Sequence, residues 1–523
     1  MKPRFFAISL LSALSVTALT PVQAAVSITD PGVGGQPVAP GSISQQSVAP
    51  AAGQELKGIE GAKAHYSAGR FAEALKIIEP LAKQKDPEAL YLMGLAHENG
   101  HGVEASREKA LDYYRKATEL KHQEARYRIP LLLLVTGNEA ERKQARTILE
   151  EAAKTEAGIA GRILGEAWLR GMFDGTPDPD QAIKWWNRAV SAGDQPSIML
   201  LAAFYEGQYG FSARKDPAEA VRIYGKGAAL GNANAMVTLG SRLLNGDPAV
   251  RDEKRAIEWL KKAADLGMPT AYLVLGDHEE GRGKDAAGAL KEYEKGAEKG
   301  QPDCMVRAAG LYLEGRGTEK NETRAVSLLE KAAQQGHIEA NFRLGMRKFS
   351  GDKPDPGAGY LHLLAAANGN LPEAQNELAL IYLSGKLGIA DQTAALGWLT
   401  RAAKAGNPHA QHNLGTLYEA GAAGLQADAN NARELYGLAA GQGHAAACFA
   451  LARLISDVRV KPKNTDLAQA WALASLVAEG GDEKAKALVA DIETRCPADS
   501  LEQARKMLKD LKAKLAGGAA PNP

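Results

Sequence analysis

AQHNLGTLYEAGAAGLQADANNARELYGLAAGQGH, from Ala410 to His444, is the stretch whose reading decides the fold. Ala410, Leu414, Gly415 and Tyr418 fall on one face of a helix. A glycine-rich turn follows, and then Ala432, Leu435, Tyr436 and Ala439 make one face of a second helix. Glycine inside a helix costs about 1 kcal/mol relative to alanine. A recurring helical glycine therefore implies close approach of a neighbour, which a missing side chain permits. Gly443 is placed to end the second helix in the left-handed conformation.

Near-copies of this hairpin recur across the chain. The leucine–glycine pair returns as Met93-Gly94, Leu164-Gly165, Leu239-Gly240, Leu275-Gly276 and Leu344-Gly345. Degenerate forms stand at Ile129-Pro130, Leu201-Ala202, Ala308-Ala309, Leu378-Ala379 and Leu451-Ala452. Neighbouring copies are about 33 to 38 residues apart, the range of helical solenoid repeats. The second-helix stop returns as AVSAGD, GAALGN, AADLGM, AAQQGH, AAANGN and AAKAGN. Asp194, Asn232, Asn370, Asn407 and Asp482 follow these glycines and are good N-caps for the next helix. Pro130, where other copies have glycine, predicts a helix that is kinked or starts late.

The pattern A-x-x-x-L-G-x-x-Y-x-x-G, then A-x-x-W/Y-x-x-x-A-A-x-x-G, resembles the Sel-one-like repeat, a slightly longer relative of the tetratricopeptide repeat. The resemblance covers roughly residues 87–482. It implies an all-α fold, an α/α superhelical solenoid of about eleven helix-turn-helix repeats with terminal caps, used for protein–protein contact. Residues 55–86 read as a tetratricopeptide-like N-terminal cap, residues 483–516 as C-terminal capping helices and residues 517–523 as a disordered tail.

Residues 1–24 carry Lys2 and Arg4, an apolar run from Phe5 to about Leu19, and then Val22-Gln23-Ala24, the order of a secretory signal peptide. Residues 25–54 are rich in Pro, Gly and Ser and read as a flexible linker. An exported chain of this kind would be periplasmic or secreted in a bacterium. The 523 residues hold 63 Lys and Arg against 62 Asp and Glu, a net charge of +1, and loss of Lys2 and Arg4 turns this to −1. So neutral a chain argues against nucleic acid or an anionic membrane as its main partner. No stable membrane insertion is expected after cleavage.

Enzyme chemistry finds little footing. His97-Glu98-Asn99-Gly100-His101 matches H-E-x-x-H, which in a zinc protease lies on one continuous helix. Here Gly100 occupies the turn column of Gly171, Gly246, Gly315 and Gly421, which puts His101 beyond the helix. No G-x-S-x-G elbow and no G-x-x-x-x-G-K-[ST] loop is present, and the Gly-x-Gly turns join helices rather than follow strands. No catalytic, metal or cofactor residue is assigned. Cys304 reads as a buried free thiol, and pairing of Cys448 with Cys496 is geometrically possible.

By resemblance to tetratricopeptide arrays, the residue two after the leading alanine of each first helix lines an inner, partner-binding surface. In order these are Tyr91, Tyr127, Arg162, Met199, Val237, Leu273, Val306, Phe342, Asn376, His412 and Phe449, and the next column adds Arg128, Arg307 and Arg343. Aromatic and arginine side chains are the usual anchors of interfaces. The implied function is an exported, non-enzymatic scaffold that binds another protein. The alternative is a peptidoglycan- or polysaccharide-associated module of an envelope assembly.

Overall fold

The computed structural model describes residues 58–350, 354–386, 388 and 390–518. The expected signal peptide and linker fall outside these residues, as does most of the expected tail.

The described residues form 26 α-helices and no strand. The chain divides into two compact units, residues 1–262 and 263–523. The first unit opens with α1 (Gly58–Ser67), α2 (Phe71–Lys83), α3 (Pro87–Asn99) and α4 (Arg107–Glu119). It continues with α5 (Gln123–Thr136), α6 (Glu139–Thr155), α7 (Ala157–Leu169) and α8 (Pro179–Ser191). Then come α9 (Gln195–Tyr205), α10 (Pro217–Ala229), α11 (Ala233–Asn245) and α12 (Glu253–Asp265), within which the division falls. The second unit runs through α13 (Thr270–His278), α14 (Ala286–Glu298), α15 (Pro302–Glu314) and α16 (Glu322–Gln334). It continues with α17 (Ile338–Ser350), α18 (Pro356–Asn368), α19 (Pro372–Ser384) and α20 (Gln392–Lys404). It ends with α21 (Pro408–Ala420), α22 (Ala429–Ala440), α23 (Ala445–Ser456), α24 (Asn464–Ala478), α25 (Glu483–Arg495) and α26 (Ala498–Gly518). Odd-numbered helices are the first helices of hairpins and even-numbered ones the second. Eleven hairpins run from α3 to α24, with one more at each end.

Local chemistry sets the ends of these helices. Asp86, Asp194, Asn232, Asn407 and Asp482 each accept a backbone N–H from three residues on, so an orphan donor of the first turn is satisfied. Gly443 takes φ 83°, the left-handed turn at the end of α22. Asn370 departs from expectation. It has φ 63° and itself fills the left-handed position, while Leu371 is the N-cap and offers no side-chain bond. The stop here is one residue later than the glycine in AAANGN suggests, and asparagine is among the few residues that tolerate this region. Of the kink or late start expected for the helix carrying Pro130, the late start is corrected. α5 begins at Gln123, with the His122 ring capping Ala125 N–H, and runs on through Pro130. Leu131, Leu132, Leu133 and Leu134 just beyond the proline are all buried, and that burial holds the turn together.

The helical glycines mark where the two helices of a hairpin touch. A Cβ on Gly240 would stand 2.5 Å from Leu260 Cγ, one on Gly345 2.7 Å from Leu363 Cγ, and one on Gly415 2.8 Å from Tyr436 Cε1. Tyr114, Trp186 and Tyr293 press on Gly94, Gly165 and Gly276 in the same way. These large residues are the core: Trp186, Tyr114, Tyr293 and Tyr436 are among the largest side chains shut off from solvent. Gly296 makes room in the same manner for Cys304.

Candidate partner interface

Polar side chains join one repeat to the next, and they do so at the repeat period. Glu98, near the end of α3, accepts the Tyr114 hydroxyl of its own hairpin and pairs with Arg128 of the following one, Nη1 to Oε1 3.5 Å. Glu206 likewise bonds Tyr224 and is held by Arg242, with Nη2 3.1 Å from Oε2. In the second unit Tyr293 donates to Glu280 at 3.0 Å and Arg316 pairs with the same carboxylate. Tyr436 donates to Glu419 at 2.9 Å, and Arg453 completes the set. Each carboxylate thus holds one group from its own repeat and one from its successor. Burial, with Glu98 beside it, pushes the Tyr114 hydroxyl far above the ordinary tyrosine range, so it stays a donor.

A second link uses the N-caps. His122 accepts Ala125 N–H at Nδ1 (3.2 Å), and its Nε2 lies 3.1 Å from Glu88 Oε2 in the preceding first helix. His337 repeats this, with Ala340 N–H at 3.2 Å and Asp303 Oδ1 at 3.1 Å. Asn407 caps α21 and reaches Glu373 Oε1 at 3.5 Å. The bond from His122 holds the Glu88 carboxyl below its ordinary range, with Lys63 adding to the effect, and the bond from His337 does the same for Asp303. Neither the carboxylate relay nor this cap link was legible in the sequence. Its only trace is a tyrosine, a glutamate and an arginine recurring with the repeat.

Against these links the expected inner-surface residues separate into two groups. Tyr91, Tyr127, Arg128, Arg162 and Asn376 are buried. Tyr91 stacks on His122 with ring centroids 4.5 Å apart. Tyr127 donates to Glu156, Arg162 Nε pairs with Asp194 at 3.3 Å, and Asn376 accepts from Asn413 at 3.0 Å. These side chains are engaged inside the fold. Arg307 and Arg343 are exposed, and Phe342, His412 and Phe449 are half-buried. All five belong to first helices of the second unit, α15, α17, α21 and α23. Arg307 Nε lies 3.6 Å from Asp277, and Arg343 Nε 2.7 Å from Glu339 on its own helix.

The H-E-x-x-H match is split. Gly100 ends α3 in the left-handed region with φ 71°. His97 turns inward to the Glu104 carbonyl at 3.1 Å, while His101 bonds Tyr66 at 3.0 Å and stacks on Phe71. Cys304, Cys448 and Cys496 are buried free thiols. Cys448 and Cys496 share one apolar cluster, but the bridge between them is not formed, and Cys448 Sγ instead lies 3.8 Å from the Ala440 carbonyl. Burial raises the Cys304 thiol to about 12 and the Cys448 thiol to about 11. Among the described residues no helix is long and apolar enough to cross a membrane.

The repeat geometry has a known counterpart. The profile of the Sel1 repeat matches residues 87–122, 163–194, 196–232, 233–268, 302–337, 338–371, 372–407 and 408–444, more than half of the chain. The chain belongs to the Sel1 repeat family. Sel1 repeats mediate protein–protein contact, and named relatives of this Sel1-repeat chain are regulators. A chitin synthase regulator of Saccharomyces cerevisiae is 28% identical over 251 residues, 44% of this chain and 36% of its own length. An exopolysaccharide production negative regulator of Rhizobium meliloti is 28% identical over 135 residues, 23% of this chain and 50% of its own. The chain thus spans half or less of the length of these curated relatives. A solved Sel1 repeat protein from Oxalobacter formigenes is 26% identical, with 62% of this chain and 93% of that one covered and a TM-score of 0.46.

Proposed function

We propose that this Sel1-repeat chain is an exported, non-enzymatic adaptor of the cell envelope. It holds a partner protein on the first-helix face of its second unit, with Phe342, His412 and Phe449 as apolar and aromatic contacts and Arg307 and Arg343 as charged ones. The observation that carries this reading is the chemistry of what the column leaves accessible: Tyr91, Tyr127, Arg128, Arg162 and Asn376 are buried and bonded within the fold, Met199, Val237 and Leu273 are half-buried but not aromatic, and these five keep aromatic or arginine surface to offer. Aromatic and arginine groups of this kind carry most of the energy of an interface. The order of charged, apolar and small residues in positions 1–24 supports export. A photo-crosslinking residue placed at 342 or 449 in intact cells should capture one defined protein, and the same residue at the buried position 127 should not. Equal capture from all three positions would refute the assignment of the face.

The names of the relatives favour a second reading. Regulators of chitin synthase and of exopolysaccharide production suggest that the captured partner belongs to a polysaccharide-making or polysaccharide-exporting assembly. Retention of the purified chain on cell-wall polymer alone, with no added protein, would instead make the polymer the ligand.

A further inference from the structure

The histidine N-caps contain one member unlike the others. Glu88, Asp303, Glu373 and His409 occupy the same position, the residue after the proline that opens a first helix. In three repeats that place holds a carboxylate, which faces the cap of the next first helix: Glu88 to His122, Asp303 to His337 and Glu373 to Asn407. In the fourth it holds His409, and the cap it faces is His444. His444 Nδ1 accepts the Ala447 N–H at 3.2 Å, and His444 Nε2 lies 3.0 Å from His409 Nδ1. His412 stands beside both, its ring centroid 5.2 Å from that of His444.

Among the described residues no carboxylate is bonded to this cluster. From α21 come His409 and His412, and His412 Nδ1 is 3.4 Å from Asn413 Oδ1. From α22 and its end come Tyr436, whose ring centre is 5.7 Å from that of His412, and Gln442, which bonds Gln411 at 2.9 Å. From α26, Leu515 covers Gly443, and Lys512 of that helix is held by Glu479 at 2.6 Å. The nearby carboxylates are engaged elsewhere, Glu373 by Asn407 and Glu419 by Tyr436 and Arg453.

We propose that the α21–α23 seam is an acid-sensitive joint, closed while His409 and His444 are neutral and opened when the pair takes up a proton. With both rings neutral, His444 Nε2–H donates to His409 Nδ1 while His444 Nδ1 accepts the Ala447 N–H. A proton added at His409 Nδ1 turns that acceptor into a donor. The seam bond is then lost, or it is kept only if His444 moves its own proton to Nδ1 and gives up the cap of α23. A second proton sets two cations against each other. At His122 and His337 a proton taken up at Nδ1 gives up the cap but leaves Nε2–H on Glu88 or Asp303, now as an ion pair, so those seams stay closed. Burial, together with the neighbouring histidines, holds both His444 and His412 below the ordinary imidazole value, in keeping with a cluster that resists the proton until the fold yields.

Hydrogen exchange of the full chain at pH 7.5 and pH 5.0, corrected for the intrinsic pH dependence of exchange, tests this. Protection of the amides of α23 beyond its capped first turn, residues 449–456, should fall about tenfold at the lower pH, the scale of one unit of pKa. Protection at the matching positions of α5 and α17, residues 127–134 and 342–349, should hold. His409→Glu, which restores the carboxylate of the other repeats, and His409→Gln, which keeps an acceptor that does not titrate, should each abolish the fall. Unchanged protection in the wild type, or a fall that persists in either variant, would overturn the proposal.

Discussion

The ring of Tyr436 occupies the space in which a side chain of Gly415 would stand: an added Cβ would lie 2.8 Å from Cε1 and 2.9 Å from Cδ1. Alanine would favour the helix by about 1 kcal/mol, but overpacking a filled core costs about 1–3 kcal/mol. Tyr436 is 1% exposed and its hydroxyl is tied to Glu419, so the ring cannot swing aside. Gly415→Ala should therefore destabilise the second unit by about 1–2 kcal/mol in urea unfolding. Gly397→Ala is the control. Nothing lies within 4 Å of a Cβ there, so the substitution should stabilise by up to about 1 kcal/mol.

The Arg128–Glu98 pair is almost fully enclosed, with side-chain exposures of 5% and 6%. Arg128→Met leaves a carboxylate in the interior with only the Tyr114 hydroxyl on it, and should cost about 3–5 kcal/mol. Adding Glu98→Gln removes the charge while keeping an acceptor for Tyr114, and should recover a large part of that loss. A double variant no more stable than Arg128→Met would contradict this account. Chemical denaturation followed by circular dichroism gives both numbers.

The thiols should be silent in the folded chain. Cys304 and Cys448 are raised to about 12 and about 11 by burial, and Cys496 is raised as well. Only the thiolate reacts. Iodoacetamide at pH 8 should add no mass to the native protein in the time that labels all three cysteines in denaturant. A single labelled thiol in denaturant would instead reveal a bridge.

Glu88 predicts part of the acid response. The bond from His122 depresses its pKa from the ordinary 4.5, so its contribution to stability is complete above that value and is lost as the pH falls through the depressed one. His122→Ser keeps a capping oxygen but cannot reach Glu88. The variant should be less stable by about 1 kcal/mol above pH 5, a figure discounted because Glu88 is part-exposed. The gap between the two proteins should narrow and close as the pH falls below 4.5 and through the depressed value. Urea midpoints measured from pH 3 to pH 7 would show a constant gap if the bond were irrelevant.

The hairpin was legible because its causes are local. A leucine–glycine pair, an aromatic about 20 residues later and a glycine stop act within one hairpin, as Gly415 and Tyr436 do. Asn370 was misplaced by one residue because a left-handed asparagine next to a glycine leaves two candidates for the same role. The inner column was legible only in part. Position on a helix places Tyr127 and Phe342 alike, but exposure depends on what the neighbouring elements supply. Glu156 binds the one, while the other packs at the edge of a cluster. Such partners lie about one repeat away, beyond the reach of a local pattern.

The carboxylates of Glu98, Glu206, Glu280 and Glu419 each join a tyrosine of their own hairpin to an arginine of the next. The junction is written in the same three letters each time, so two such units cut and rejoined in phase would meet as native neighbours. Genes built this way can lengthen or shorten by whole periods through unequal crossing-over without leaving an orphaned charge at the scar. A break out of phase would leave such an acid without its arginine, in the interior at Glu98, and that chain would be removed by the proteases that clear unfolded chains.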